Sequence, residues 1–285
     1  MCLSVLAVAL LAGCAPTLRV QVLKPGPVNL GAAKKLSVVQ TEGRRSAREY
    51  VINEVQKQGR SAGYFVVADR TEEGIAVKIA GRSVEVSGGK GNPQAPDEVG
   101  LRIDVLDWSS QKDSEEIKNS KGYVTGVKTF YRGKVVLGVT AFNSQGRAVL
   151  AEKEYVGNTN GDSEDVAINA SATAAVWQLL SDITPQYVSM DIRLDDDDPA
   201  QKPIIEMAKG GNLAKALEEE RAAVAKSPNS GPANYNLAVL LDAQAQYQEA
   251  LDAYTKAINL GTKPYYVSMK SECAARLAAA EALQK

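Results

Sequence analysis

Apolar and polar positions divide the chain into three stretches of different texture. Residues 3–11 are almost wholly apolar, a run with the length of a signal-peptide core and well short of the ~20 residues that cross a bilayer as a helix. From 34 to 194, short apolar runs alternate with two longer segments of helical period, and from 199 onward the period is helical throughout. In the middle stretch, Leu36-Ser37-Val38-Val39-Gln40 reads as a strand. Between Arg44 and Arg60, the apolar residues Ala47, Val51 and Val55 recur at helical spacing, and Tyr50 and Ile52 widen their stripe. Gly59 and Gly63 mark the end of that helix, and Tyr64-Phe65-Val66-Val67-Ala68, closed by Asp69-Arg70, reads as a second strand. A strand, a helix and a strand in this order predict a right-handed crossover and a parallel pair.

Further strands are predicted over residues 75–86, 101–108, 134–142 and 148–155, with Asn143-Ser144-Gln145-Gly146 as a hairpin turn. The glycine-rich 88–93 and the polar 109–121 read as loops. Ser163 is the expected N-cap of a second helix with Val166, Ala170, Ala174, Trp177 and Leu180 on its apolar face, ending before Pro185. Residues 186–194 add a last strand. The expected fold is an α+β, sandwich-like domain over 34–194, a mixed sheet carrying two main helices. The order of elements, with Leu36-Ser37-Val38-Val39, Gly63-Tyr64-Phe65-Val66-Val67-Ala68-Asp69-Arg70 and Asn143-Ser144-Gln145-Gly146-Arg147-Ala148-Val149-Leu150, resembles the periplasmic domain of lipoproteins like the curli secretion channel subunit, a CsgG-like domain. Related domains occur in penicillin-binding-protein activator lipoproteins. The resemblance implies an envelope protein, and it implies assembly of several copies through the sheet.

An internal repeat organises residues 199–285. Leu213, Ala216, Leu217 and Ala223 recur 34 residues later as Tyr247, Ala250, Leu251 and Ala257. With Tyr235, Asn236, Leu237, Ala238, Leu241 and Tyr254, the unit resembles a tetratricopeptide repeat, the 34-residue pair of helices. Small Ala238, Ala250 and Ala257 let the helices approach, while Leu237, Leu241, Leu251 and Tyr254 fill the space between them. An all-α domain of such repeats is therefore expected over 199–285, capped by a helix from 265 to 284, with Cys273 as a buried apolar residue. The repeat implies a groove for a peptide or protein, for which Asn234, Ala238, Leu241, Tyr265, Ser268 and Met269 are the candidate lining residues. The acidic run 195–198 between the domains reads as a solvated linker whose Asp198 caps a helix with Pro199 at its first position.

At the amino terminus, Leu11-Ala12-Gly13-Cys14 follows the apolar run and matches the bacterial lipoprotein box. Residues 1–13 are then a signal peptide and Cys14 carries a covalent lipid, a stable anchor when several acyl chains are attached. Ala15, in place of an aspartate, resembles the class sorted to the outer membrane, facing the periplasm. Residues 14–33, with prolines at 16, 25 and 27, read as a lipidated, extended tether.

Composition narrows the chemistry. The 285 residues contain no histidine, which removes Ser/His/Asp and Cys/His catalysis and histidine-ligated zinc. Lys and Arg total 33 against 34 Asp and Glu, so the chain as a whole has no electrostatic reason to bind nucleic acid. Three cysteines without a C-x-x-C pair suggest neither a disulfide framework nor a metal. Ser109-Ser110-Gln111-Lys112 has S-x-x-K spacing, but no S-D-N or K-T-G follows it. Arg44, Arg45 and Arg48 open a helix as a solvated face. The expectation is a protein without enzymatic activity, cofactor or metal. It acts as a protein-binding scaffold or accessory factor in envelope assembly, secretion or cell-wall machinery. The alternatives are a structural subunit of an oligomeric secretion-type complex and a histidine-free envelope hydrolase. The hydrolase would need a buried serine beside a lysine or carboxylate in a cleft.

Overall fold

The computed structural model describes residues 15–71, 75–79, 82–86, 93 and 95–284, with backbone alone for 75–79 and 82–86. Cys14 and the expected signal peptide lie outside the described residues, as does most of the glycine-rich 88–93. The strands are β1 (Thr17–Lys24), β2 (Lys35–Glu42), β3 (Val66–Asp69), β4 (Ile75–Ile79), β5 (Arg82–Val86), β6 (Glu98–Lys118), β7 (Val124–Asn143), β8 (Ala148–Gly161) and β9 (Gln186–Arg193). The helices are α1 (Arg45–Ala62), α2 (Glu164–Ile183), α3 (Lys202–Lys209), α4 (Leu213–Lys226), α5 (Gly231–Ala243), α6 (Tyr247–Leu260) and α7 (Pro264–Ala282). The molecule is mixed α+β, with a five-stranded mixed sheet and seven α-helices among the described residues. None of these helices is long and apolar enough to cross a bilayer.

The chain divides into two compact units, one of Pro25–Gln186 with the last few residues and one of the stretch up to Lys24 with Tyr187–Ala280. In the sheet unit the strand order is β3-β2-β6-β7-β8. The expected parallel crossover is present, with Lys35 opposite Val66, and β2 also runs parallel to β6. Helix α1 buries Ala47, Val51 and Val55 and ends at Gly63, whose φ of 71° suits a residue without a β-carbon. Ser163 caps α2 by accepting from Val166 N. The buried face of α2, however, is Ala167, Ser171, Ala172, Ala175, Val176, Leu179 and Ile183, and the predicted face residues Val166 and Trp177 are exposed.

That rotation has a cause in the sheet beneath. A β-carbon on Gly157 would lie 1.7 Å from the Ser171 carbonyl oxygen, one on Gly133 2.2 Å from that of Ala167, and one on Gly161 2.5 Å from Ala167 N. Three glycines on β7 and β8 thus let α2 rest its small-residue face directly on the sheet backbone.

The polar segment 109–121 is not a loop. It forms the outer half of a long β6–β7 hairpin, paired in register from Ser109–Lys134 to Ile117–Gly126. The turn is set by Gly122 at φ 83° and by Asn119, whose Oδ1 accepts from Lys121 N and Tyr123 N. Main-chain bonding carries this hairpin, so both of its faces can be polar.

In the helical unit, the expected tether is also corrected: residues 17–24 form β1, which pairs with β9 in a two-stranded sheet. Leu18, Val20 and Val22 alternate into the same core as Ile192 and Leu194 and the interior of α3–α7. The expected last strand of the sheet domain therefore belongs to the helical unit, because its pairing partner is β1. Of the residues placed between helices by the repeat, Ala216, Leu217, Ala238, Leu241, Ala250, Tyr254 and Ala257 are buried, and Leu213, Ala223, Leu237, Tyr247 and Leu251 are half-buried. Cys273 is buried, and burial pushes its thiol up to about 12.

Candidate functional site

The residues expected to line an open groove are distributed otherwise. Asn234, Ala238 and Leu241 are buried in the helical unit, in a core that also contains the apolar side chains of β1 and β9. Asn234 turns its amide onto the carbonyls of Pro228 and Ser230 in the approach to α5. Met269 packs half-buried against that core, and Ser268 is exposed with its hydroxyl near Glu272. Of the six, Tyr265 is the one that reaches a polar cluster.

That cluster is built around Asp195, whose side chain is fully buried. Its Oδ2 accepts from Lys263 Nζ at 2.5 Å, from Tyr265 at 2.8 Å and from Tyr266. Its Oδ1 accepts from Asp197 N at 3.0 Å, closing a tight local turn. Its main chain is bracketed by Asn236, whose Oδ1 accepts from Asp195 N and whose Nδ2 donates to Asp195 O, both at 2.8 Å. Lys263 also reaches Asp197 at 2.6 Å. The Tyr235 ring stacks on Tyr266 at 4.1 Å and sends its hydroxyl to Arg193 O at 2.8 Å, while the Arg193 guanidinium sits 4.1 Å above the Tyr265 ring.

The sequence places these groups by simple means. Pro264 starts α7, so Lys263 and Tyr265-Tyr266 stand at the positive end of a helix, where carboxylates are stabilised. Burial opposes the charge on Asp195, but the bonds from Lys263 and Tyr266 outweigh it and hold the carboxyl below its ordinary range. Lys263 is held above its ordinary value by Asp195 and Asp197 in spite of its own burial. The expectation of a solvated 195–198 thus holds for the exposed Asp196 and Asp197 and fails for Asp195. Asp198 does cap, accepting from Ala200 N at the start of a short 3-10 turn. Asn236, Lys263 and Tyr266 were not legible as partners of Asp195. The available signal was charge complementarity between Lys263 and the four aspartates.

Other constellations have structural roles. Arg276 and Asp242 form a buried pair, Nε to Oδ1 at 2.9 Å, with Arg276 Nη1 3.7 Å from Met190 Sδ. Ser37 is buried beside Glu98, the arrangement a hydrolase reading looks for. That carboxylate also pairs with Arg70 at 2.8 Å and accepts from Ala95 N, so its oxygens are already engaged in the fold. Ser109 and Lys112 lie three residues apart on β6 and therefore point to opposite faces, so they form no Ser/Lys pair. Arg45 is exposed and pairs with Glu49. A shallow depression of about 280 Å³ in the sheet unit is lined by Lys153, Tyr155, Trp177 and Asp182 among others. Among the described residues, no three cysteine or acidic side chains converge so as to hold a metal.

No protein-family model matches the chain, and no curated protein is similar to it. Among solved structures, it is similar to a PelC dodecamer from Paraburkholderia phytofirmans over 60% of this chain and 99% of that one, at 14% identity and a TM-score of 0.31. It is also similar to a DUF330 protein from Xanthomonas campestris over 59% of this chain and 90% of that one, at 14% identity and a TM-score of 0.31.

Proposed function

We propose that the protein is a lipid-anchored periplasmic lipoprotein of the outer membrane that holds a protein partner in envelope assembly, secretion or cell-wall machinery, and that it binds rather than catalyses. The observation that carries this reading is the equivalence of buried positions 34 residues apart, Ala216 with Ala250 and Glu220 with Tyr254, in the alternate helices α4 and α6. A 34-residue equivalence of this kind supports a tetratricopeptide-repeat reading, and the helix faces of such repeats serve as protein-binding surfaces. The lipoprotein box at Cys14 supplies the anchor in this reading.

The test is site-specific photocrosslinking in cells. A photoreactive residue at exposed Ser268 or Val267 on α7 is expected to capture an envelope protein, and Cys14→Ser is expected to abolish metabolic labelling with palmitate. An absence of protein crosslinks at both positions overturns the scaffold reading, and retained labelling overturns the anchor.

A second reading, a subunit of an oligomeric assembly, is favoured by one observation. Among the described residues β8 pairs on one side only, leaving a 14-residue strand edge open to another strand. Light scattering of the purified protein decides it, since a strict monomer excludes this reading.

A further inference from the structure

We infer that the inner face of α5 and the start of α7 form a receptor for a short acidic segment, occupied here in cis by residues 193–197 of the chain itself. Two kinds of contact point to it. The first is to main chain. Asn236 brackets the N–H and C=O of Asp195, and Tyr235 donates to the carbonyl of Arg193. Such bonds hold an extended backbone whatever side chains it carries. The second is to carboxylates. Lys263, Tyr265 and Tyr266 converge on Asp195, and the same Lys263 takes Asp197 two residues on. The turn that Asp195 Oδ1 closes onto Asp197 N brings these two carboxylates to the same ammonium, and the intervening Asp196 faces water.

A linker requires none of this. An apolar residue at 195 would fill a purely structural junction without the desolvation cost of a buried charge. Here two phenol hydroxyls and an ammonium shared with Asp197 converge on the Asp195 carboxylate, and an amide side chain brackets its main-chain N–H and C=O. Main-chain bonds that fix direction, with a charged pocket that selects the side chain, are the elements of peptide recognition. The matching partner carries an apolar residue followed by carboxylates two residues apart, as in Leu194-Asp195-Asp196-Asp197. The resident segment is covalently linked, so it competes at an effective concentration on the order of millimolar, and a partner enters by displacing it. The inference rests on the scaffold reading and deepens it by naming the partner's chemistry.

The test titrates a fluorescent peptide with the sequence of residues 192–198 into the full chain and into a full chain carrying Asp195→Ser and Asp197→Ser. The variant should bind at least about tenfold more tightly than the unaltered chain, because its own segment has lost its charge-assisted bonds. A peptide with serine at both positions should bind neither protein. Equal affinity of the acidic peptide for both proteins, or equal binding of the serine peptide, overturns the inference. If the variant fails to fold, amide hydrogen exchange on the unaltered chain decides. Faster exchange across 193–197 with the acidic peptide alone supports displacement in cis, and unchanged exchange overturns it. Because the probe is synthetic, failure here leaves the crosslinking result at Ser268 standing, and the two readings can fall separately.

Discussion

Glu220 and Tyr254 occupy equivalent buried places in α4 and α6, 34 residues apart; Tyr254 donates to Asp242 Oδ2 at 3.3 Å, whereas the Glu220 carboxylate has only the Gln201 amide to offset its burial. Neither carboxylate oxygen of Glu220 makes a hydrogen bond of good geometry, and the Gln201 amide supplies the weak one that opposes its burial. Burial, with Asp198 nearby, pushes the Glu220 carboxyl up to about 8 from an ordinary 4.5. The folded state therefore holds this proton more tightly than the unfolded state. The contribution of Glu220 to stability is greatest below pH 4.5 and is lost as the pH rises toward 8. Between pH 4.5 and 7 that loss is on the order of 3 kcal/mol. Glu220→Gln should raise the urea midpoint at pH 8 and leave it nearly unchanged at pH 4.5; an unchanged midpoint at pH 8 would show the acid to be solvated.

Lys263→Met removes the cation that Asp195 is buried against. The expected loss is about 3 kcal/mol, typical of a buried carboxylate left without its partner. The two groups titrate in opposite senses. Asp195, held below its ordinary value, contributes fully above about pH 3.8, and its contribution fades as pH falls further. Lys263, held above its ordinary value, contributes fully below about pH 10.5, and its contribution fades as pH rises beyond that. Chemical denaturation of K263M across both ranges should show the two arms flattened relative to the unaltered chain.

Gly157→Ala should destabilise the sheet unit by about 2–3 kcal/mol, since the added methyl meets the main chain of α2 and not a side chain that could turn away. Gly126→Ala provides the control. Its β-carbon would meet only Ile117 Cδ1 at 3.8 Å in the outer hairpin, and a thermal melt should register little change.

Arg276→Met leaves Asp242 buried without a counter-charge and should cost about 3–5 kcal/mol. Adding Asp242→Leu removes the orphaned charge, so the double variant should melt closer to the unaltered protein than either single variant does. A double variant no more stable than R276M would mean that the pair is held by more than mutual compensation.

The elements with strong periodicity were legible in the sequence. The α1 stripe, the β2–β3 crossover and the helices of the 34-residue repeat fall where hydrophobic spacing puts them, because side-chain burial determines all three. The misreadings occur where main chain determines the structure. The 109–118 run of β6 carries no apolar alternation, since its partner strand supplies the hydrogen bonds and neither face is covered. The face of α2 could not be read from α2 alone, because glycines at 133, 157 and 161 set it. Segment 17–24 did carry a signal, the alternation of Leu18, Val20 and Val22, which the flanking prolines masked. Asp195 looked like its three neighbours because its partners lie 41 to 71 residues away.

If Cys14 carries the proposed lipid, the pairing of β1 with β9 sets the length of the leash. Leu194 N donates to Pro16 O at 2.8 Å, so the backbone is already fixed two residues beyond Cys14. Two extended residues span about 7 Å. On the proposed anchoring, the helical unit would ride within a few ångströms of the lipid headgroups with almost no freedom to swing. Its reach would then be set by its own girth, and only partners that come to the membrane surface would be within range.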